Sequence, residues 1–122
     1  MDRYELWFDL KPGTRDLDFA DAFDALAAHL KEEGLVEAAR LARRKLGLGP
    51  ASLGEFWATL EVKDLAQLDA AFNVMAARKP DAHKLHAAVF TKVQGLQTAL
   101  YRDFPDPVRP RGPPAAPGDS SA

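Results

Sequence analysis

Near the N-terminus Tyr4, Leu6, Phe8 and Leu10 alternate with Glu5, Trp7 and Asp9. A period of two predicts a strand with one face in a core. It stops at Lys11-Pro12-Gly13, where proline fixes one φ and glycine frees the next. The period then changes, because Phe19, Ala22, Phe23, Leu26, Ala27 and Leu30 keep the spacing of one helical face. Asp16 or Asp18 is the expected cap of this helix, and Gly34 its stop. Asp16, Asp18, Asp21 and Asp24 lie toward its positive end and Lys31 toward its negative end, as the helix dipole favours.

The stretch Val36 to Leu48 contains Glu37-Ala38-Ala39-Arg40-Leu41-Ala42-Arg43-Arg44-Lys45-Leu46, whose local propensity is helical. It is bounded by Gly34 and by Gly47-Leu48-Gly49-Pro50, and the strand that follows needs a hairpin partner. Pairing and burial can override a weak propensity over so short a window, so these residues leave helix and strand both open, and the strand is taken together with the resemblance given below. Phe56, Ala58, Leu60 and Val62 then alternate with Trp57, Thr59 and Glu61. Asp64 and Gln67 have capping-box spacing, and Leu65, Leu68, Phe72 and Met75 follow at helical intervals toward an end near Lys79-Pro80. Asp81 is the expected cap of a further short helix carrying Leu85, Ala88 and Val89. A last strand is expected from Gly95 to Tyr101. The order is the split βαβ of a ferredoxin-like α+β domain, βαββαβ, with an antiparallel four-stranded sheet. Right-handed crossovers put the helices on one face, over Leu6, Phe8, Phe56, Leu60, Val62 and Leu100.

The runs Arg43-Arg44-Lys45-Leu46-Gly47-Leu48-Gly49-Pro50, Leu53-Gly54-Glu55-Phe56 and Leu100-Tyr101-Arg102-Asp103-Phe104-Pro105-Asp106-Pro107 resemble an uncharacterised family of small bacterial proteins. The resemblance spans Tyr4 to Arg109 and leaves the Pro-rich end as a departure. It implies a dimeric α+β barrel of ferredoxin-like type and supports the strand at Val36 to Leu48. It brings no activity, since barrels of this plan include cofactor-free monooxygenases, haem-degrading enzymes and stress-response proteins.

Six of the nine prolines fall after residue 104, where large apolar side chains nearly vanish. A ferredoxin-like domain over residues 1–106 and a disordered Pro-rich tail over 107–122 are therefore expected. The chain has no cysteine, which excludes disulfides and thiolate metal sites. A formal charge of -2 gives no broad positive field for nucleic acid or an anionic membrane. No run approaches the ~18 apolar residues of a membrane span, and the first residues carry no signal core. A cytoplasmic protein that binds neither nucleic acid nor membrane is expected.

The sheet face away from the helices should carry Trp7, Trp57, Thr59 and Tyr101 among Glu5, Asp9, Glu55 and Glu61. So large an aromatic patch needs a lid. A second subunit, giving a homodimer joined through sheet faces, is one reading, and a ligand site is the other. His83 and His86 share a helix face as weak catalytic candidates, or are an ordinary surface pair. They lack a third metal ligand, so neither metal nor cofactor is expected. Arg40, Arg43, Arg44 and Lys45 point to both sides of a strand, which favours ion pairing with the acidic first helix over an anion site. Large Phe8, Phe56 and Phe72 beside small Ala58, Ala88 and Thr98 on the helix side predict a void for a small apolar or anionic organic molecule. Thr98, His83, His86, Phe56 and Phe72 would then contact the guest. The expected function is ligand binding without required catalysis. The alternative, implied by the resemblance, is a cofactor-independent monooxygenase-like enzyme acting on a small aromatic or quinol-type substrate.

A chain ending at Asp106 is expected to melt within about 2 °C of the full chain, because a segment nearly free of apolar side chains adds almost no buried area. A calorimetric loss of several degrees would instead reveal an ordered arm.

Overall fold

The structure, a computed structural model, describes residues 1–105 and residue 112. The expected domain end at Asp106 and, Gly112 aside, the tail lie outside the described residues. The elements are β1 (Asp2–Leu10), α1 (Asp16–Glu32), β2 (Ala38–Arg43), β3 (Phe56–Val62), α2 (Leu65–Ala76), α3 (Pro80–Phe90) and β4 (Val93–Arg102). The sheet order is β2-β3-β1-β4 with every neighbouring pair antiparallel, the ferredoxin-like arrangement.

β2 shows tertiary pairing overriding propensity. The edge of β3 offers a row of backbone groups, and Ala38 to Arg43 take them in register from Glu61 to Phe56. Beyond the strand, Glu37 N–H reaches Glu61 O and Arg44 N–H reaches Glu55 O, each at 2.7 Å. The strand is shorter than the Val36–Leu48 stretch, because Leu46 and Gly47 turn at φ 56 and 66.

Two helix starts differ from expectation. Arg15 occupies the N-cap of α1, with Asp16 and Asp18 inside the first turn, where their charge still meets the positive helix end. Pro80 begins α3 with Lys79 as cap, since proline's fixed φ and missing N–H suit a first turn. Arg78, at φ 52, makes the break between α2 and α3. The capping of α2 is as expected: Gln67 N–H donates to Asp64 Oδ1 at 2.9 Å, and Lys63 N–H donates to Gln67 Oε1 at 2.7 Å.

The helices' apolar stripes meet the sheet at Leu6, Phe8, Phe56, Ala58 and Val62, and Phe19 is fully buried between Phe8 and Phe56. Cover fails at the β4 edge. Leu96 and Leu100 stay 45% and 46% exposed although they point to the helix side. Between the pairs Trp7–Gln97 and Asp9–Gln94 the register slips by one residue, a bulge in β4 beside Gly95 at φ 64.

The β2–β3 connection is tied down at both ends. The Arg44 guanidinium donates to the carbonyls of Pro50, Leu53 and Gly54 at 3.0, 2.9 and 3.3 Å. Glu55 N–H donates to Asp9 Oδ1 at 2.8 Å. Gly54 packs directly on the backbone of Phe8, so that a Cβ there would stand 2.3 Å from the Phe8 carbonyl carbon. Gly54→Ala is therefore expected to cost about 1–3 kcal/mol or more, as overpacking against rigid backbone does. Thermal unfolding should show this as a drop of roughly 5–20 °C. An unchanged melting temperature would contradict the contact.

Candidate functional site

Between the sheet and the helices lies a cavity of about 350 Å³. Tyr4, Leu6, Ala58 and Leu60 form its floor, and Leu26 and Leu30 of α1 form one wall. Phe72 and Met75 of α2 with His86 and Phe90 of α3 close the other side. The space exists because Ala27, Ala58 and Ala71 stand where larger side chains would meet. A volume of ~150 Å³ holds one benzene ring, so the cavity has room for roughly two fused rings.

Among the described residues, Tyr4 and His86 are the only polar side chains in the lining, and no lysine, arginine or carboxylate contributes. The His86 ring stacks on Phe90 at 4.5 Å between centroids, and Tyr4 meets Phe72 edge to face at 5.3 Å. Burial pushes the His86 pKa down from the ordinary 6.5, and the charge of His83 pushes it further the same way. The imidazole is thus held toward its neutral form, with one nitrogen lone pair available as acceptor or base.

Of the residues expected to contact a guest, Phe72 and His86 line the cavity, whereas Phe56, Thr98 and His83 do not. Phe56 is absorbed in the core, stacked on Phe8 at 5.9 Å and covered by the Arg43 guanidinium at 5.1 Å. Thr98 stands opposite Leu6 on the helix side, but exposed, because the helices do not reach over β4. His83 is exposed on the outer side of α3 and acts only through its charge. Ala88 is likewise outside the lining. The sequence reading missed Ala27 and Ala71, although both lie on the apolar helix stripes and small size was the available signal. Among the described residues, no cluster of three His, Cys, Asp or Glu side chains could hold a metal ion.

On the opposite sheet face Trp7 and Trp57 are direct cross-strand partners. Trp57 is 44% and Tyr101 56% exposed. With Arg3, Arg40 and Arg102 they border an open concavity of about 810 Å³. At its centre Glu5 is only 5% exposed. One oxygen, Oε2, accepts from Trp57 Nε1 and from Thr59 Oγ1, both at 2.6 Å. Thr59 is buried by this bond instead of standing free on the face. Glu5 was expected only as one of several acids around the aromatics, since its burial depends on a register that alternation alone does not give.

The basic run is dispersed as expected. Arg43 pairs with Asp16 of α1 at 3.1 Å and with Glu55 at 3.3 Å, which together raise its pKa, while Arg44 serves the loop.

Because the folded His86 binds protons less readily than the unfolded one, the unfolded chain gains protons first as pH falls below 6.5. Stability is therefore lost as pH falls from the ordinary histidine value toward the lowered folded one. His86→Gln is expected to lessen the fall in urea midpoint between about pH 7.5 and about pH 5.5. The same slope in both proteins would contradict the burial of His86.

The fold is shared widely at low sequence identity. A protein from Arabidopsis thaliana, At3g17210, superposes with a TM-score of 0.68 at 7% identity, over 84% of this chain and 95% of that one. SnoaB, a cofactor-independent oxygenase from Streptomyces nogalater, gives 0.65 at 12% identity, over 88% and 97% of the two chains. A dimeric ferredoxin-like protein of unknown function from Thermobifida fusca gives 0.58 at 12% identity, over 82% and 88%. At such identities the likeness is one of fold. No functionally curated protein matches the chain in sequence. Among the described residues no helix is long and apolar enough to cross a membrane. Over residues 1–114, past the Arg109 limit of the expected resemblance and into the Pro-rich segment, the sequence matches DUF6614, and the chain belongs to this family of unknown function.

Proposed function

We propose that the protein binds a small, neutral, largely apolar organic molecule in the cavity between sheet and helices, as a homodimer joined through its open sheet faces. The cavity carries this reading: about 350 Å³ of apolar space with, among the described residues, polar groups only at Tyr4 and His86. Natural interiors normally close such space, and ligand pockets start at roughly 300 Å³. A carboxylate guest would find no cation in the lining and a histidine held toward neutrality, so a burial cost would go unmatched. A hydroxyl or carbonyl is the polar group that the site accommodates. The homodimer is supported by the exposed Trp57 and Tyr101 around Trp7 and the buried Thr59, and by fold neighbours described as dimeric.

A second reading has one observation in its favour. His86, with its lowered pKa, presents a base to the guest space, suited to taking a proton from a phenol or quinol that then reacts with dioxygen. The fold neighbour SnoaB is described as a cofactor-independent oxygenase, which supports the same monooxygenase-like alternative.

One- and two-ring phenols and quinols, tested against fatty acids and haem by thermal shift, separate these guests. A fitting phenol at a hundredfold excess over its Kd is expected to add about 2.7 kcal/mol of stability. Ala58→Leu, which fills the floor, should abolish that gain. If no compound stabilises the protein, the ligand reading falls, and if fatty acids alone do, the neutral guest does.

A further inference from the structure

The open face holds an anion and a cation that find no ion-pair partner among the described residues. Glu5 is buried with both of its hydrogen bonds on one oxygen, from neutral donors, and among the described residues no cation lies within ion-pair distance of it. A buried carboxylate without a cation is costly, and Glu5 is part of the lining of the concavity. The cations of this face differ in what they already hold. Arg3 pairs with Asp103 at 2.7 Å and Glu61 at 3.6 Å, and Arg102 is also engaged. Arg40 is exposed and, among the described residues, forms no ion pair or side-chain hydrogen bond.

Arg40 and Glu5 lie on one row across the sheet. The register pairs Arg40 with Thr59 and Thr59 with Glu5, so the row reads cation, neutral, anion. Within one chain the two backbones are two strand spacings apart, roughly 10 Å. A two-fold interface brings each patch against itself, so that residue i meets j and j meets i. If the axis runs parallel to the strands over β3, Thr59 meets its own copy and β2 of each chain lies over β1 of the other. On the next row the same axis sets Trp7 over Ala42, a large side chain over a small one. Glu61 would meet its own copy, already neutralised by Arg3.

We infer that Arg40 of one copy and Glu5 of the other form a charge pair, twice per dimer, and that this pair fixes the register of the interface. The inference rests on the proposed homodimer through the open faces. The occupant is a second copy because the row is complementary to itself.

Sedimentation equilibrium on the full chain tests it, with Glu5→Gln, Arg40→Gln and the double variant. Glu5→Gln keeps an amide oxygen for the Trp57 and Thr59 bonds and removes only the charge. Each single variant is expected to raise the dimer Kd by roughly 30-fold or more, as loss of one member of a buried charge pair does. The double variant should be no weaker than the weaker single. Arg40→Glu, at an exposed and unpaired position, should leave a folded monomer. Fully additive effects, single variants within about threefold of wild type, or an Arg40→Glu protein that dimerises normally would overturn the pair while the dimer stands. A wild-type chain that is monomeric at tens of micromolar would instead bring down the dimer and the pair together.

Discussion

β1 is hydrogen-bonded along both edges, to β3 and to β4, and its side chains alternate between a face roofed by three helices and a face with no cover among the described residues. A strand so placed cannot slide. A shift of one residue would put Glu5 and Trp7 into the core and expose Leu6 and Phe8, which stand 5% and 2% exposed. The other strands take their register from this one, and the helices find their stripes because the strands do. Both sites are consequences: the cavity forms where small residues thin the roofed side, and the charged row forms where the bare side crosses β1 at Glu5.

Alternation and helical spacing made most of this legible in the sequence. β1, β3 and α1 carry strong periodic signals, whereas the helical propensity of Glu37 to Leu46 leaves the hairpin partner of β3 open between helix and strand, and the family resemblance favours the strand. Proline proved ambiguous. Pro80 was read as the end of one helix, whereas its fixed φ serves equally well to begin the next. Bounds there depended on which of two valid roles the local backbone chose.

The candidate site was less legible, for a different reason. Spacing tells which way a side chain points but not whether something reaches over it. Thr98 points correctly and stays exposed because β4 is an edge strand beyond the helices. Phe56 also points correctly, and the aromatic cluster with Phe8 and Phe19 takes it out of the cavity. His86 and His83 have equal standing in the sequence, yet one turn of α3 separates a half-buried base from an exposed one. Glu5 looked like one of several rim acids until the pairing with Thr59 and Trp57 placed it under their donors.

The contact of Gly54 with the Phe8 backbone divides the β2–β3 connection into two kinds of chain. Between Lys45 and Gly49 the residues are exposed, and closing a longer loop costs only logarithmically more with each added residue. Insertions belong there. From Pro50 to Glu55 the chain is read at close range by Arg44, Phe8 and Asp9, and a single added residue would move a carbonyl off the guanidinium or a Cβ into β1. An added residue is therefore expected to cost far less between Lys45 and Gly49 than at the point of return to the sheet, which is held to one residue and one atom's clearance.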